Sequence, residues 1–197
     1  MNDNELMKTM PVPQAVAKMA IPSIISSLVT VVYNMADTYF VSQINTSASG
    51  AVGIVFSIMA IIQAVGFTVG MGAGSTASRL LGKERGEEAN TYASTAVFLA
   101  LVLGLLLGLC RLDGLIWALG STQTIYPYAR EYAGYILVGA PVMVLAFTLN
   151  NLLRWQGLAN LAVIGLATGG VLNILLDPLF IFGLNMGIGG AGVATLL

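Results

Sequence analysis

Five stretches of the sequence have the length and apolarity of membrane-spanning helices, and this limits the chain to a small set of folds. A helix needs about 20 mostly apolar residues to cross a hydrocarbon core of roughly 30 Å. Stretches near residues 15–41, 51–78, 92–112, 132–153 and 161–182 each supply that length. A sixth apolar run starts at Ile188 and reaches Leu197, about 15 Å of helix and roughly half a crossing. The pattern predicts an all-α, polytopic transmembrane helical bundle. It also predicts that the 197 residues are a fragment or truncated product of something longer. Only 9% of the residues are charged, against roughly 25% in soluble domains, too few to cover a surface in water.

The same composition removes several functions. Net charge is −1, so no basic footprint for nucleic acid exists. The absence of histidine removes the usual proton shuttle and the commonest metal ligand. Proton chemistry therefore falls to Asp, Glu, Tyr or Lys. Cys110, the one cysteine, has no internal disulfide partner. There is no Cys/His cluster, P-loop or G-x-S-x-G motif, so no catalytic residue, enzyme activity or cofactor is expected. The polar start, MNDNELMKTMPVP, lacks the form of a cleaved signal peptide, and the first apolar stretch reads as an uncleaved span.

Basic residues set an orientation. With the N-terminus in the cytoplasm, Lys8, Lys18, Arg79, Lys83, Arg85 and Arg154 fall inside, and only Arg111 and Arg130 outside. That split fits the positive-inside rule. The glycine-bracketed run Gly82-Lys83-Glu84-Arg85-Gly86-Glu87-Glu88 suits a cytoplasmic connector. On the other side, the connection from Asp113 to Arg130 is the longest. Trp117, Tyr126, Tyr128 and Tyr132 suit a membrane interface there, or ordinary packing.

Two carboxylates stand out. Asp37 lies late in the first span and Asp177 late in the fifth. A charged side chain near the bilayer centre costs about 2.5–3.5 kcal/mol on insertion scales, so such a group faces a cavity or a partner. No Lys or Arg lies at matching depth, which leaves no ion pair to form. Such carboxylates suit alternation between a proton and a cation; wetting of each by the interface is the plainer alternative. Asn173 is four residues before Asp177 and shares its helix face. Asn34 and Tyr33 flank the face of Asp37. Amide and carboxylate oxygens are hard ligands for a cation such as Na⁺, though the asparagines could equally serve helix packing.

Pro22, Pro141 and Pro178 lie in or at the ends of spans, where a proline frees a carbonyl and can kink the helix. Gly66, Gly70 and Gly74 form overlapping G-x-x-x-G spacings that suit close helix packing. Gly187, Gly189, Gly190 and Gly192 suit a tight turn into a closely packed sixth helix.

Four passages together resemble the N-terminal half of the multidrug and toxic compound extrusion (MATE) transporters. They are Tyr33-Asn34-Met35-Ala36-Asp37-Thr38-Tyr39-Phe40-Val41; Gly70-Met71-Gly72-Ala73-Gly74-Ser75 with Ser78-Arg79-Leu80-Leu81-Gly82; Arg154-Trp155-Gln156-Gly157; and Leu172 to Phe182 followed by Gly187 to Thr195. The resemblance implies a twelve-helix fold of two six-helix lobes. Residues 1–197 would be the first lobe, with its sixth helix truncated and the C-terminal lobe absent. It implies export of cationic, amphipathic substrates in antiport with H⁺ or Na⁺, in the cell membrane. By the same resemblance, Asp37, Asn173, Asp177 and Thr195 form the cation or proton site. Asn34, Tyr135 and Asn150 are candidates for its supporting network, with Asn151 beside the last. Ser42 and Leu158-Ala159-Asn160 depart from the family pattern without touching these positions. Two other functions stay open: a flippase of the same superfamily for a lipid-linked sugar, and a non-transporting membrane module formed by this half alone.

Overall fold

The computed structural model describes residues 11–197; Lys8, used above in the charge count, lies outside them. Helix α1 spans Val12–Ser42, α2 Thr46–Gly82, α3 Gly86–Gly108, α4 Leu112–Ala118, α5 Tyr126–Trp155 and α6 Ala159–Pro178. A π-helical turn, Leu179–Gly183, continues α6, and α7 spans Ile188–Leu196. Five helical segments are long and apolar enough to cross a membrane: α1, α2, α3, α5, and α6 with its π-turn.

The ends of these helices follow from their residues. Asn45 caps α2, its side-chain oxygen accepting the Ala48 N–H at 2.8 Å; this satisfies one of the free donors of a helix start. Glu87 and Glu88 occupy the first turn of α3, where they complement the helix dipole. Glu88 also pairs with Arg85. The third span stops at Gly108 rather than running to residue 112. The exposed Arg111 draws the chain toward water, and Leu112 opens the separate short helix α4.

Helix α5 is the hub. It packs on α2, α3, α4, α6 and α7. Its inward stripe, Ala129, Tyr132, Ala133, Ile136, Ala140, Val144, Thr148 and Leu152, repeats at three and four residues as a helix face must. Glycines on α2 and α3 let α5 come close. A Cβ on Gly66 would stand 2.7 Å from the Phe147 Cβ, one on Gly70 2.8 Å from the Asn151 Cβ, and one on Gly104 2.5 Å from the Pro141 Cα. Thr148 uses the same proximity to donate to the Gly66 carbonyl at 3.2 Å.

Helices α2, α3 and α5 therefore form one packed unit. Helix α1 packs chiefly on α6, with a slighter contact to α2, and these two make a second unit. Gly170 of α6 admits the Tyr33 ring and Val29 of α1, each 3.3 Å from where a Cβ would stand. The short α7 lies against α5, α6 and the π-turn and bridges the two units. Its start needs glycine twice. Gly187 has φ 56°, and a Cβ on Gly190 would sit 2.7 Å from the Phe180 carbonyl carbon. The broad apolar surface left by both units, including Ile24, Leu28, Phe98, Leu106, Val138 and Leu175, suits contact with lipid or other apolar surface.

Polar contacts gather at the end of the bundle carrying α4. Asp113 accepts from the Tyr126 hydroxyl at 2.7 Å and from Arg130 Nε at 3.0 Å. Trp117 stacks on Tyr126 with ring centroids 5.1 Å apart. Those two donors, Tyr126 first, hold the Asp113 carboxyl below its ordinary 3.8. A depressed folded pKa contributes stability above the unfolded value and loses it as pH falls.

Two outcomes follow from this packing. Gly70→Val should lower the melting temperature of the purified protein through overpacking worth about 1–3 kcal/mol. Gly72→Ala, where a Cβ meets nothing within 4 Å, should leave it unchanged or raise it by helix propensity. Asp113→Asn should speed amide exchange in α4 at neutral pH, and the difference from wild type should fade as the pH drops below about 3.8.

Candidate cation site

Four helices bring five polar side chains together where the α1–α6 unit meets α5 and α7. Asp37 comes from α1, Tyr132 from α5, Asn173 and Asp177 from α6, and Thr195 from α7. Asp37 and Asp177 retain only 3% and 0% of their exposure. The Tyr132 hydroxyl donates to Asp37 Oδ2 at 2.9 Å and lies 3.3 Å from the Thr195 hydroxyl. Asn173 Nδ2 stands 3.5 Å from Asp177 Oδ1 and 3.4 Å from Thr195 Oγ1. Thr195 in turn donates to the Ala191 carbonyl at 2.9 Å.

The spacing of Asn173 and Asp177, one helical turn apart, aims both into this junction. Both are buried on the face of α6 that also carries Ala162 and Gly170. Asp37 occupies the buried stripe of α1 with Ser26 and Val41. The glycines of α7 matter here. A Cβ on Gly192 would lie 2.8 Å from the Tyr135 ring, so glycine lets α7 seat close enough for Thr195 to meet Tyr132.

The arrangement has more acceptors than donors. Asp37 Oδ1, Asn173 Oδ1 and Asp177 Oδ2 are buried with no hydrogen-bond partner among the described residues. Buried polar atoms are normally paired, and leaving one unpaired costs about 1–3 kcal/mol or more when it carries charge. Neither Asp37 nor Asp177 takes part in an ion pair among the described residues; those present are Arg85–Glu88 and Arg130–Asp113. Three bare oxygens from two carboxylates and an amide are the donor set for a small hard cation or for protons.

Sequence reasoning placed some residues elsewhere. Tyr132, read as an interface aromatic or an ordinary packing residue, is completely buried and bonded to Asp37, a role that neither reading named. The three- and four-residue repeat of Ala129, Ala133, Ile136 and Ala140 could have put it on the inner face. Tyr135, the candidate from the same helix, packs on Gly189 and Gly192 and has no hydrogen bond to the cluster. It lies three residues on, turned toward α7. Asn150 also stands apart. It donates to the Ala162 carbonyl at 2.8 Å and accepts from Arg154 Nε at 3.0 Å, so it ties α5 to α6 far along the helix from Tyr132. Its neighbour Asn151 bonds back to the Phe147 carbonyl at 2.9 Å. Asn34 is half-buried; its carbonyl accepts from Thr38 at 2.8 Å, and its side chain makes no hydrogen bond to Asp37.

The family model MatE matches residues 22–179, a range holding Asp37, Tyr132, Asn173 and Asp177. The chain belongs to the MatE family. Among curated relatives, it is 30% identical to an FAD transporter of Shewanella oneidensis over 100% of this chain and 45% of that protein. It is 28% identical to the multidrug export protein MepA of Staphylococcus aureus over 95% of this chain and 42% of that one. Among solved structures, a MATE protein in a bent conformation matches all of the chain and 44% of its own, at 33% identity and a TM-score of 0.87. The MatE chain thus spans less than half the length of the curated relatives it matches.

Tyr132→Phe keeps the ring and removes the only donor to Asp37 Oδ2 among the described residues. A hydrogen bond to a charged group is worth about 1.5–3 kcal/mol. With the cluster acting as a cation site, the substitution should shift the midpoint of ion-dependent thermal stabilisation of the purified protein while leaving the helical circular-dichroism signal intact.

Proposed function

We propose that the chain is the ion-coupling lobe of a secondary active transporter that exports organic cations in exchange for H⁺ or Na⁺. The observation that carries this reading is the meeting of Asp37 and Asp177, both buried, with three unpartnered oxygens between four helices. Two bare carboxylates in a membrane interior are unfavourable. A proton or Na⁺ entering among Asp37, Asn173, Asp177 and Thr195 relieves that state, so occupancy of the site and arrangement of the helices are coupled.

Helix α1 is the element placed to respond. Its firm contact is with α6, and Pro22 removes one backbone donor within it. Neutralising Asp37 changes what Tyr132 and α6 hold. Bending of α1 at Pro22 then opens a path for the organic cation on the other side. Among solved relatives, MATE structures exist in a straight and in a bent conformation. A second lobe completes the transport path in this reading; the charge pattern supports a cytoplasmic N-terminus, and the family resemblance supports a place in the cell membrane.

A flavin nucleotide is the substrate suggested by the Shewanella oneidensis relative. Its phosphates call for basic partners, and the sequence between Lys18 and Arg79 has none, nor do the apolar stretches of α3, α5 and α6. The organic cation is therefore the preferred substrate.

In proteoliposomes holding the complete gene product, Asp37→Asn and Asp177→Asn should each cut ethidium transport driven by a Na⁺ or pH gradient at least tenfold. Transport at wild-type rates by Asp37→Asn would overturn the coupling role. Competition by FAD but not by organic cations would move the substrate to the flavin reading.

A further inference from the structure

The passage Arg154-Trp155-Gln156-Gly157 closes α5, and the coupling reading above makes no use of it. Gly157 takes φ 82°, and the Leu158 N–H returns to the Leu153 carbonyl at 2.9 Å. A glycine cap of this kind turns the chain sharply, so α6 starts at Ala159 beside the last turns of α5. Asn150, one turn before Arg154, then reaches across. Its Nδ2 donates to the Ala162 carbonyl at 2.8 Å, and its Oδ1 accepts from Arg154 Nε at 3.0 Å. A guanidinium only donates and a carbonyl only accepts, so the amide between them has one orientation. Arg154 is half-buried and enters no ion pair among the described residues. Among those residues, the Asn150 bond is the one side-chain hydrogen bond running directly from α5 to α6.

This clasp grips the face of α6 that carries the buried site. Ala162, Gly170, Asn173 and Asp177 are the buried residues of that helix. Asn173 and Asp177 lie about 17 and about 23 Å beyond Ala162 at 1.5 Å per residue. Side-chain atoms stand some 5–6 Å from a helix axis, so a twist of about 20° displaces them by about 2 Å. A binding constellation tolerates roughly 0.5 Å. The long neighbour of α6 on its other side is α1. Their close contact at Gly170 is with Val29 and the Tyr33 ring, and such packing permits rotation and sliding. Helix α1 is also the element that moves in the proposed cycle, so it cannot hold α6 still. At the far end Thr195 meets Asn173 at 3.4 Å; the clasp is the matching tie at the near end.

We propose that Asn150, oriented by Arg154, is a positioning residue for cation binding. Its bond to the Ala162 carbonyl sets the rotation and depth of α6, and so keeps Asn173 and Asp177 at the site while α1 moves. It makes no contact with the ion itself. The inference rests on the reading of that site as the coupling site.

The test uses the complete gene product in a background freed of native cysteines. Spin labels at Val138→Cys on α5 and Leu175→Cys on α6, both exposed positions, report the distance between the two helices by pulsed EPR. Asn150→Asp and Arg154→Met should broaden or shift that distance, and Arg154→Lys should not. In the first two, the half-saturating Na⁺ or proton concentration for thermal stabilisation should rise about 2- to 30-fold. Added to Asn173→Ala, Asn150→Asp should then cost little more. Added to Tyr132→Phe, on α5, the two effects should multiply to within about twofold, as for independent sites. An unchanged distance in Asn150→Asp, or simple multiplication in both combinations, would overturn the positioning role. So would wild-type binding by Arg154→Met beside a loss in Asn150→Asp, the pattern of a direct ion contact. Coupled transport by Asp37→Asn at wild-type rates would instead sink the coupling reading, and this inference with it.

Discussion

The hydrogen bond from the Tyr132 hydroxyl to Asp37 joins the two packed units of the chain. Tyr132 belongs to α5, the hub of the α2–α3–α5 unit, and Asp37 to α1, which leans on α6. Contact between α1 and α2 is slight by comparison. The polar junction, with α7 wedged beside it, is therefore where the α1–α6 unit is held in register with the rest. In an apolar environment a hydrogen bond to a carboxylate is stronger than in water, so this one contact carries positional information that the surrounding apolar surfaces do not. Apolar packing between membrane helices is permissive about rotation and sliding. A buried O–H to carboxylate bond is not.

That dependence explains why glycine is placed as it is. The junction needs α5 close to α2 and α3 on one side and to α7 on the other. Gly66, Gly70 and Gly104 give the first approach, and Gly139, Gly189 and Gly192 the second. With α5 fixed on both sides, Tyr132 cannot retreat from the junction without unpacking a neighbour. Helix α1 has less to hold it. Rigid donor and looser acceptor is the arrangement required if a cation at Asp37 is to move α1 rather than deform the whole lobe, as the proposed cycle demands.

Much of this was legible from the residues alone. Span length gave the helical bundle, because a 20-residue apolar run has few alternatives. Asp37 and Asp177 were conspicuous because charge in such a run is costly, and the four-residue spacing of Asn173 and Asp177 put them on one face. The resemblance added Thr195, which spacing could not reach. Tyr132 was hidden by its position: it begins the apolar stretch of residues 132–153, where aromatic residues commonly mark an interface. The helix begins at Tyr126 instead, which moves Tyr132 nearly two turns inside it. Tyr135 and Asn150 share a helix with Tyr132, but a shift of three residues turns one toward α7, and eighteen residues carry the other some 27 Å along the axis. Which side chains meet across four helices depends on their rotations and depths, and local sequence does not encode these.

The same geometry limits what the site can select. Asp37 Oδ1, Asn173 Oδ1 and Asp177 Oδ2 are the oxygens of this cluster without partners among the described residues, and Thr195 Oγ1 donates to the Ala191 carbonyl and accepts from Asn173 Nδ2 at 3.4 Å, which leaves it one lone pair to offer. A cation binding here would meet four oxygens on three helices, with Tyr132 fixing the orientation of one carboxylate. Protons need only the two carboxylates, whereas Na⁺ also needs the amide and hydroxyl oxygens to complete its shell. On the proposed reading, loss of the Thr195 or Asn173 oxygen would therefore bear harder on Na⁺ than on H⁺. On the proposed reading, the choice between the ions would rest on those two neutral oxygens rather than on the aspartates, which would serve either ion.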